Sequence, residues 1–312
     1  MKGCRLRCIN IADNVFGLGE VAVTKRLIEK QMLKIMDKVE LKDETAILPN
    51  PCYVQCGDNL ELLKSQPNES VNMIYSDILY GTGRNFGEYQ DLKPIRSEIE
   101  SHYLPRLIEM KRVLKQNGSI YLQMDTRINH WMRILMDDVF GYENFRNEIS
   151  WCYNSQGKTT KQWNKKHDVI LYYTKSEDWV FNSDIVKDSI SDLTYRRFQK
   201  EIDKYGYYTV LKNGKRTQYT LADGSLPKDW FEDVTYISRD NKELTGYPTQ
   251  KSKELISRFV LASTNEGDVV ADYYLGSGTT AVVCKELNRK FIGCDINPKA
   301  IEITNARLDA LS

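Results

Sequence analysis

The chain has 312 residues, 41% hydrophobic and 28% charged, with a net charge of +1. This composition excludes an intrinsically disordered chain, and no apolar run approaches the roughly 20 residues that span a bilayer. The start, MKGCRLRCINIADN, has no apolar segment of signal-peptide type, and seven cysteines, an odd number, read as reduced thiols of a cytoplasmic protein.

Residues 1–50 form an N-terminal helical extension, with Val23, Leu27, Ile28, Met32, Ile35, Met36 and Val39 at helical spacing. CYVQCGD is a short strand ending at Asp58. NLELLKSQ is a helix capped by Asp58 or Asn59. VNMIYSD is a second strand, ending at Asp77. Helix 102–115, strand 117–125, helix 130–140 and strand 167–175 follow. The stretch 176–245 is polar, tyrosine-rich and weakly periodic, and reads as an insertion or small lobe. Beyond it, KSKELISRFVLAST is a helix, DVVADYY a strand, GTTAVVCKELN a helix, KFIGCDIN a strand and AIEITNARLDAL a last helix. Alternating strand and helix predict an α/β fold with a mainly parallel sheet covered by helices on both faces.

The charge is uneven. Residues 151–216 carry thirteen Lys/Arg against eight Asp/Glu, so that region is near +5 and the remainder near −4. The basic residues form knots, KTTKQWNKKH (158–167), RRFQK (196–200) and KNGKR (212–216), with aromatics between them. Lys158, Lys161, Lys165, Lys166, Arg196 and Arg197 suit a phosphate backbone; a solvated lysine-rich face is the other reading. The Cys4/Cys8 and Cys52/Cys56 spacings and only three histidines give no metal-binding pattern.

DVVADYYLGSGTTAVVCKELNRKFIGCDIN is the clearest unit. A strand ends at Asp272, Gly276 and Gly278 make a tight turn into a helix, and a second strand ends at Asp295. This is the βαβ logic of a nucleotide-type cofactor site, with the second acid placed for ribose hydroxyls. A third dinucleotide glycine and a Walker lysine are missing, so a pyrophosphate is disfavoured. Asp272 suits a ligand carrying an ammonium group, since a carboxylate there repels phosphate.

DYYLGSGTT resembles the S-adenosylmethionine motif D-P-F-x-G-S-G-T-T of amino-methylating DNA methyltransferases. GYPTQKSKELISRF resembles their G-x-P-T-Q-K-P segment, DILYGTG their D-P-P-Y catalytic motif, and CGDNLELL the segment whose acid holds the cofactor's adenine. HDVILYYTK resembles another of their strands. The order, catalytic motif first and cofactor motif last, is that of the β class, which methylates N6 of adenine or N4 of cytosine. The resemblance covers about residues 52 to 308. It implies a Rossmann-like methyltransferase domain at 51–312 with a target-recognition insertion at about 155–245. Asp77, where cytosine enzymes usually have Ser, favours adenine.

The resemblance also implies roles. Asp272 would hold the methionine ammonium, Gly276, Gly278 and Thr279 would line the cofactor, Asp295 would hold the ribose and Asp58 the adenine amino group. Thr249 and Lys251 would line the methionine end. Asp77 and the Ile78 carbonyl would accept from the target amino group, and Tyr80 would stack on a base flipped out of the duplex. In the loop GTGRNFGEY, Arg84 and Asn85 would meet DNA and Phe86 would act as a wedge. The implied partners are double-stranded DNA, a cognate restriction endonuclease and, as is common in this class, a second copy of the chain. Three motifs lack their prolines: D-P-P-Y is D-I-L-Y, D-P-F is D-Y-Y and T-Q-K-P is T-Q-K-S. This opens an alternative, a catalytically impaired DNA-binding homologue. A third reading is methylation of an amino group on RNA or protein.

Overall fold

The computed structural model describes residues 51–85, 90–153, 159–188, 195–197, 202–204, 206–220, 224–237 and 242–311. The expected N-terminal helix, Phe86 and Lys158 lie outside them.

The chain runs β1 (Tyr53–Cys56), α1 (Asn59–Ser65), β2 (Val71–Asp77), α2 (Arg96–Val113), β3 (Leu114–Met124) and α3 (Asn129–Phe140). Next come β4 (Phe145–Cys152), β5 (His167–Thr174), β6 (Tyr207–Lys212), β7 (Lys215–Thr220) and β8 (Trp230–Phe231). It closes with α4 (Lys253–Ser263), β9 (Val269–Asp272), α5 (Thr279–Glu286), β10 (Lys290–Asp295) and α6 (Pro298–Asp309). Eight strands form one sheet in the order β1-β10-β9-β2-β3-β5-β4-β8, and β6 with β7 forms a separate hairpin. From β1 to β3 every pairing is parallel. β5 then runs antiparallel to both β3 and β4, so the mainly parallel sheet is mixed at one end.

The strands that read most clearly are those buried on both faces. In β2, VNMIYS is buried throughout and only Asp77 is partly exposed, the near-continuous apolar run of a covered parallel strand. β4 was not anticipated, because FRNEISWC alternates only in its last half, where Ile149 and Trp151 are buried. α2 starts six residues before the expected 102 and holds Pro105 inside it. α4 lays Leu255, Ile256 and Phe259 on one sheet face. There Tyr121 stacks between Tyr172 (4.3 Å between ring centroids) and Phe259 (4.7 Å), a rigid aromatic floor beneath the ends of β2 and β3.

Within 155–245, β5 belongs to the main sheet, so the expected insertion is interrupted by a core strand. The polar remainder includes the β6–β7 hairpin, closed by Asn213 (φ 51°) and Gly214 (φ 75°). Two positive φ values in succession are what the twist of a two-residue hairpin requires. No described helix is long and apolar enough to cross a membrane.

Candidate active site

Four adjacent strands, β1, β10, β9 and β2, carry an acid at or just beyond their carboxyl ends: Asp58, Asp295, Asp272 and Asp77. All four line one cavity of about 380 Å³. This is the rim where open α/β sheets bind ligands. Tyr247, Thr249, Lys251, Gly276 and Thr279 complete the wall from the loop before α4 and the glycine turn.

The turn is built by its glycines. Gly276 (φ 54°) and Gly278 (φ 76°) are left-handed, a conformation that other L-residues adopt only at a cost. A Cβ on Gly278 would lie 2.3 Å from Thr304 Oγ1, whereas one on Gly276 would meet only the Tyr247 ring, at 3.5 Å. Asp295 holds the turn in place: its Oδ2 accepts from Gly276 N (2.7 Å) and its Oδ1 from Asn297 N (2.9 Å). The Thr279 hydroxyl donates to the Lys251 carbonyl (3.1 Å) and so ties the turn to the opposite wall.

Asp272 is 3% exposed. It accepts from Thr280 Oγ1 (2.6 Å) and Tyr274 N (3.1 Å). Burial pushes its carboxyl up to about 7, against those two hydrogen bonds. A buried acid with neutral partners and a cavity in front of it is a receptor for a cation. Asp58 caps α1 through Leu60 N (2.9 Å) and pairs with Arg106 Nη2 (2.8 Å), both on Oδ1. Its Oδ2 has no hydrogen-bond partner among the described residues and is left for a donor. Thr249 has φ 60°, a strained state for a β-branched residue and of the kind concentrated at ligand clamps.

Asp77 stands at the other end of the cavity. Its Oδ2 accepts from Lys251 Nζ (2.5 Å) and its Oδ1 from the Tyr80 hydroxyl (2.7 Å). Burial raises its pKa, and the Lys251 ammonium opposes that rise. Tyr80 also lies 2.7 Å from Asp168 Oδ2. Asp168 accepts from Gln123 Nε2 (2.9 Å) and Tyr153 Oη (3.0 Å), and Gln123 from Tyr75 Oη (2.7 Å). Asp168, Gln123 and Tyr153 escaped the sequence reading. The available signal was an acid opening the otherwise apolar run VILYY.

The structure brings Asp58, Asp77, Thr249, Lys251, Asp272, Gly276, Thr279 and Asp295 to one cavity. Gly278 stands behind it. Lys251, expected at the methionine end, reaches Asp77 instead. Tyr80, expected to stack on a base, has its hydroxyl between two acids and Lys251 Nζ 5.3 Å from its ring centroid. Ile78 is buried in the core, and Leu79 is the residue that lines the cavity. The loop after Tyr80 is tied at its base by Asp91, which accepts from Gly81 N (3.2 Å) and Thr82 N (2.7 Å). Asn85 bridges Gln90, and Gln90 and Leu92 line the cavity. Arg84, Lys161, Lys165, Arg196 and Arg197 are exposed and Lys166 is half-buried, and none of them lines the cavity.

The family model described as DNA methylase, covering N6 and N4 enzymes, matches residues 71–306. The type II methyltransferase M.HpaI of Haemophilus parainfluenzae is 34% identical over 258 residues, 82% of this chain and 73% of that protein. The DNA adenine methyltransferase YhdJ of Escherichia coli is 30% identical over 259 residues, 82% of each chain. Among solved structures, the PvuII cytosine-N4-specific DNA methyltransferase superposes with a TM-score of 0.56 at 19% identity, over 83% of this chain and 86% of that one. The M1.HpyAVI complex with S-adenosylmethionine gives 0.53 at 19%, over 83% and 99%. The chain belongs to the N6/N4 DNA methylase family.

Proposed function

We propose that this member of the DNA methylase family transfers a methyl group from S-adenosylmethionine to N6 of an adenine flipped out of duplex DNA, as the modification enzyme of a restriction–modification system. The observation that carries the reading is one cavity joining Asp77 to Asp272 and the Asp295-anchored glycine turn.

The residues fit the methyl donor. Asp272, buried and pushed to about 7, gains from an ammonium. The glycine turn leaves backbone open to the cavity, and Asp58 offers Oδ2 to an adenine amino group. When bound, S-adenosylmethionine supplies an electrophilic methyl group. The chain's own work lies at the acceptor. An aromatic amino nitrogen is a poor nucleophile because its lone pair is delocalised, and acceptors on its N–H bonds free that pair. Asp77 is one acceptor and the Ile78 carbonyl the other. The Ile78 carbonyl lies in a peptide bracketed by two fixed ones: Ile78 N donates to Gln123 O (3.0 Å) and Leu79 O accepts from Tyr103 Oη (3.1 Å). Lys251 favours the ionised form of Asp77. Alignment and polar groups set in advance account for the rate.

An acid at position 77 and the adenine-specific relative favour N6 over N4. The test is methyl transfer from labelled S-adenosylmethionine to unmethylated genomic DNA, with nucleoside analysis of the product. N6-methyladenine is expected. N4-methylcytosine would overturn the base assignment, and no product with cofactor and DNA still bound would overturn turnover itself.

A further inference from the structure

Tyr80 Oη is 2.7 Å from Asp77 Oδ1 and 2.7 Å from Asp168 Oδ2. A phenol has one proton, so the three oxygens need two protons for both contacts to be hydrogen bonds. With both acids ionised, one contact sets a carboxylate against a phenol lone pair. Asp168 is 3% exposed, and its other two donors, Gln123 and Tyr153, are neutral. The cluster therefore has room for one proton, and methyl transfer releases one at the amino nitrogen.

Resting on the function proposed above, we propose that Asp77, Tyr80 and Asp168 act as one proton-accepting unit, with Asp168 the positioning residue that sets the basicity of Asp77 through Tyr80. As the N–CH3 bond forms, the S–CH3 bond breaks and the sulfonium becomes a neutral thioether. The amino nitrogen passes one proton to the Asp77 carboxylate. Asp77 then donates to Tyr80 Oη, and Tyr80 turns its own proton to Asp168 Oδ2. Both contacts are now hydrogen bonds and no phenolate forms. The proton leaves to water after the methylated base has gone. Among the described residues, the titratable groups that face the cluster are Lys251 from the loop before α4, Asp272 at the end of β9, Tyr75 on β2 and Tyr153 after β4, with Asp125 after β3 acting on Tyr153. Only Lys251 is cationic among them, and it contacts Asp77, leaving Asp168 to act on Asp77 from the far side.

The test is a double-mutant cycle with Asp168→Asn and Tyr80→Phe, reading kcat, its pH profile, and S-adenosylmethionine and DNA affinity. Each single change is expected to lower kcat about tenfold or more, less than the roughly hundredfold low end for loss of the acid–base group itself, because Asp77 is kept. Asp168→Asn should move the acid limb of the profile to lower pH and leave both affinities within about threefold. The double variant should be no slower than the slower single, because the residues act as a unit. Wild-type kcat and pH profile in Asp168→Asn, or multiplicative losses in the double variant, would overturn the proposal. Should Asp168→Asn not fold, Tyr80→Phe decides, since it keeps the ring and removes only the hydroxyl: wild-type kcat in it overturns the unit. A wild-type protein that transfers no methyl group overturns the function on which the proposal rests, whereas an active wild type with unaffected variants overturns the unit alone.

Discussion

At the scale of single residues, three of the four positions where the motifs lack proline, Ile78, Tyr273 and Ser252, are each filled by a group that makes a bond proline cannot. Ile78 N extends the β2–β3 ladder to Gln123 O at 3.0 Å. Tyr273 N donates to Ser76 Oγ (3.1 Å) and its hydroxyl to Gln66 Oε1 (2.5 Å). Ser252 caps α4 by accepting from Leu255 N (3.4 Å). Stiffness lost with a ring is regained by hydrogen bonding, which is not the signature of a decaying site. Magnitudes then decide what restoring proline would do. Proline contributes about 0.4–1 kcal/mol where it fits, whereas leaving the buried Gln123 carbonyl unpaired costs about 1–3 kcal/mol. Ile78→Pro is therefore expected to lower stability by about 1 kcal/mol in denaturant unfolding and to give no gain in methyl transfer. A variant both more stable and faster would refute this account.

At the scale of elements, the glycine turn separates two demands. Gly278 caps α5 with φ 76° against Thr304 of α6, which is wholly buried. Gly276 faces the cavity with the Tyr247 ring 3.5 Å from its would-be Cβ. Gly278→Ala combines left-handed strain with a clash, an expected loss of about 2–3 kcal/mol. Gly276→Ala should cost about 1 kcal/mol and act chiefly on cofactor affinity. Thermal unfolding and calorimetric binding of the two variants separate the effects; equal profiles would show the turn to be structural throughout. This turn was legible from sequence because strand, acid, glycines, helix and acid follow one another within about 25 residues. The catalytic cluster was only half legible. Asp77 and Tyr80 share a motif, but Lys251 and Asp168 reach them across 174 and 88 residues of chain. A single sequence carries no mark of such a meeting. β4 is hard to read for a local reason: its first four residues are intermediate or exposed without alternation, and only Ile149 and Trp151 are buried.

At the scale of the whole molecule, the parallel sheet gathers four carboxylates at one rim, facing Arg106 and Lys251. The cost is concentrated in Asp272. Its folded pKa, about 7, stands above its ordinary 3.8. The folded chain therefore binds more protons than the unfolded one between those values, and this group's contribution to stability falls as pH rises from about 4 to about 7. A cationic ligand reverses the balance, because it favours the ionised acid that the fold disfavours. Below pH 7, binding must first remove the proton from Asp272. One pH unit corresponds to about 1.4 kcal/mol, or tenfold in affinity, and an α-amino group stays largely protonated up to about pH 7.7. S-adenosylmethionine should thus bind about tenfold or more weakly at pH 5.5 than at pH 7.5, with a correspondingly smaller rise in unfolding temperature. Asp272→Asn should abolish this pH dependence and leave the unliganded protein at least as stable as wild type at pH 7.5, because the buried charge is gone. Equal affinities at the two pH values would mean either that Asp272 is ionised throughout this range in the unliganded protein or that the ammonium is held elsewhere along the rim; Asp272→Asn separates the two, since it weakens binding only in the first case.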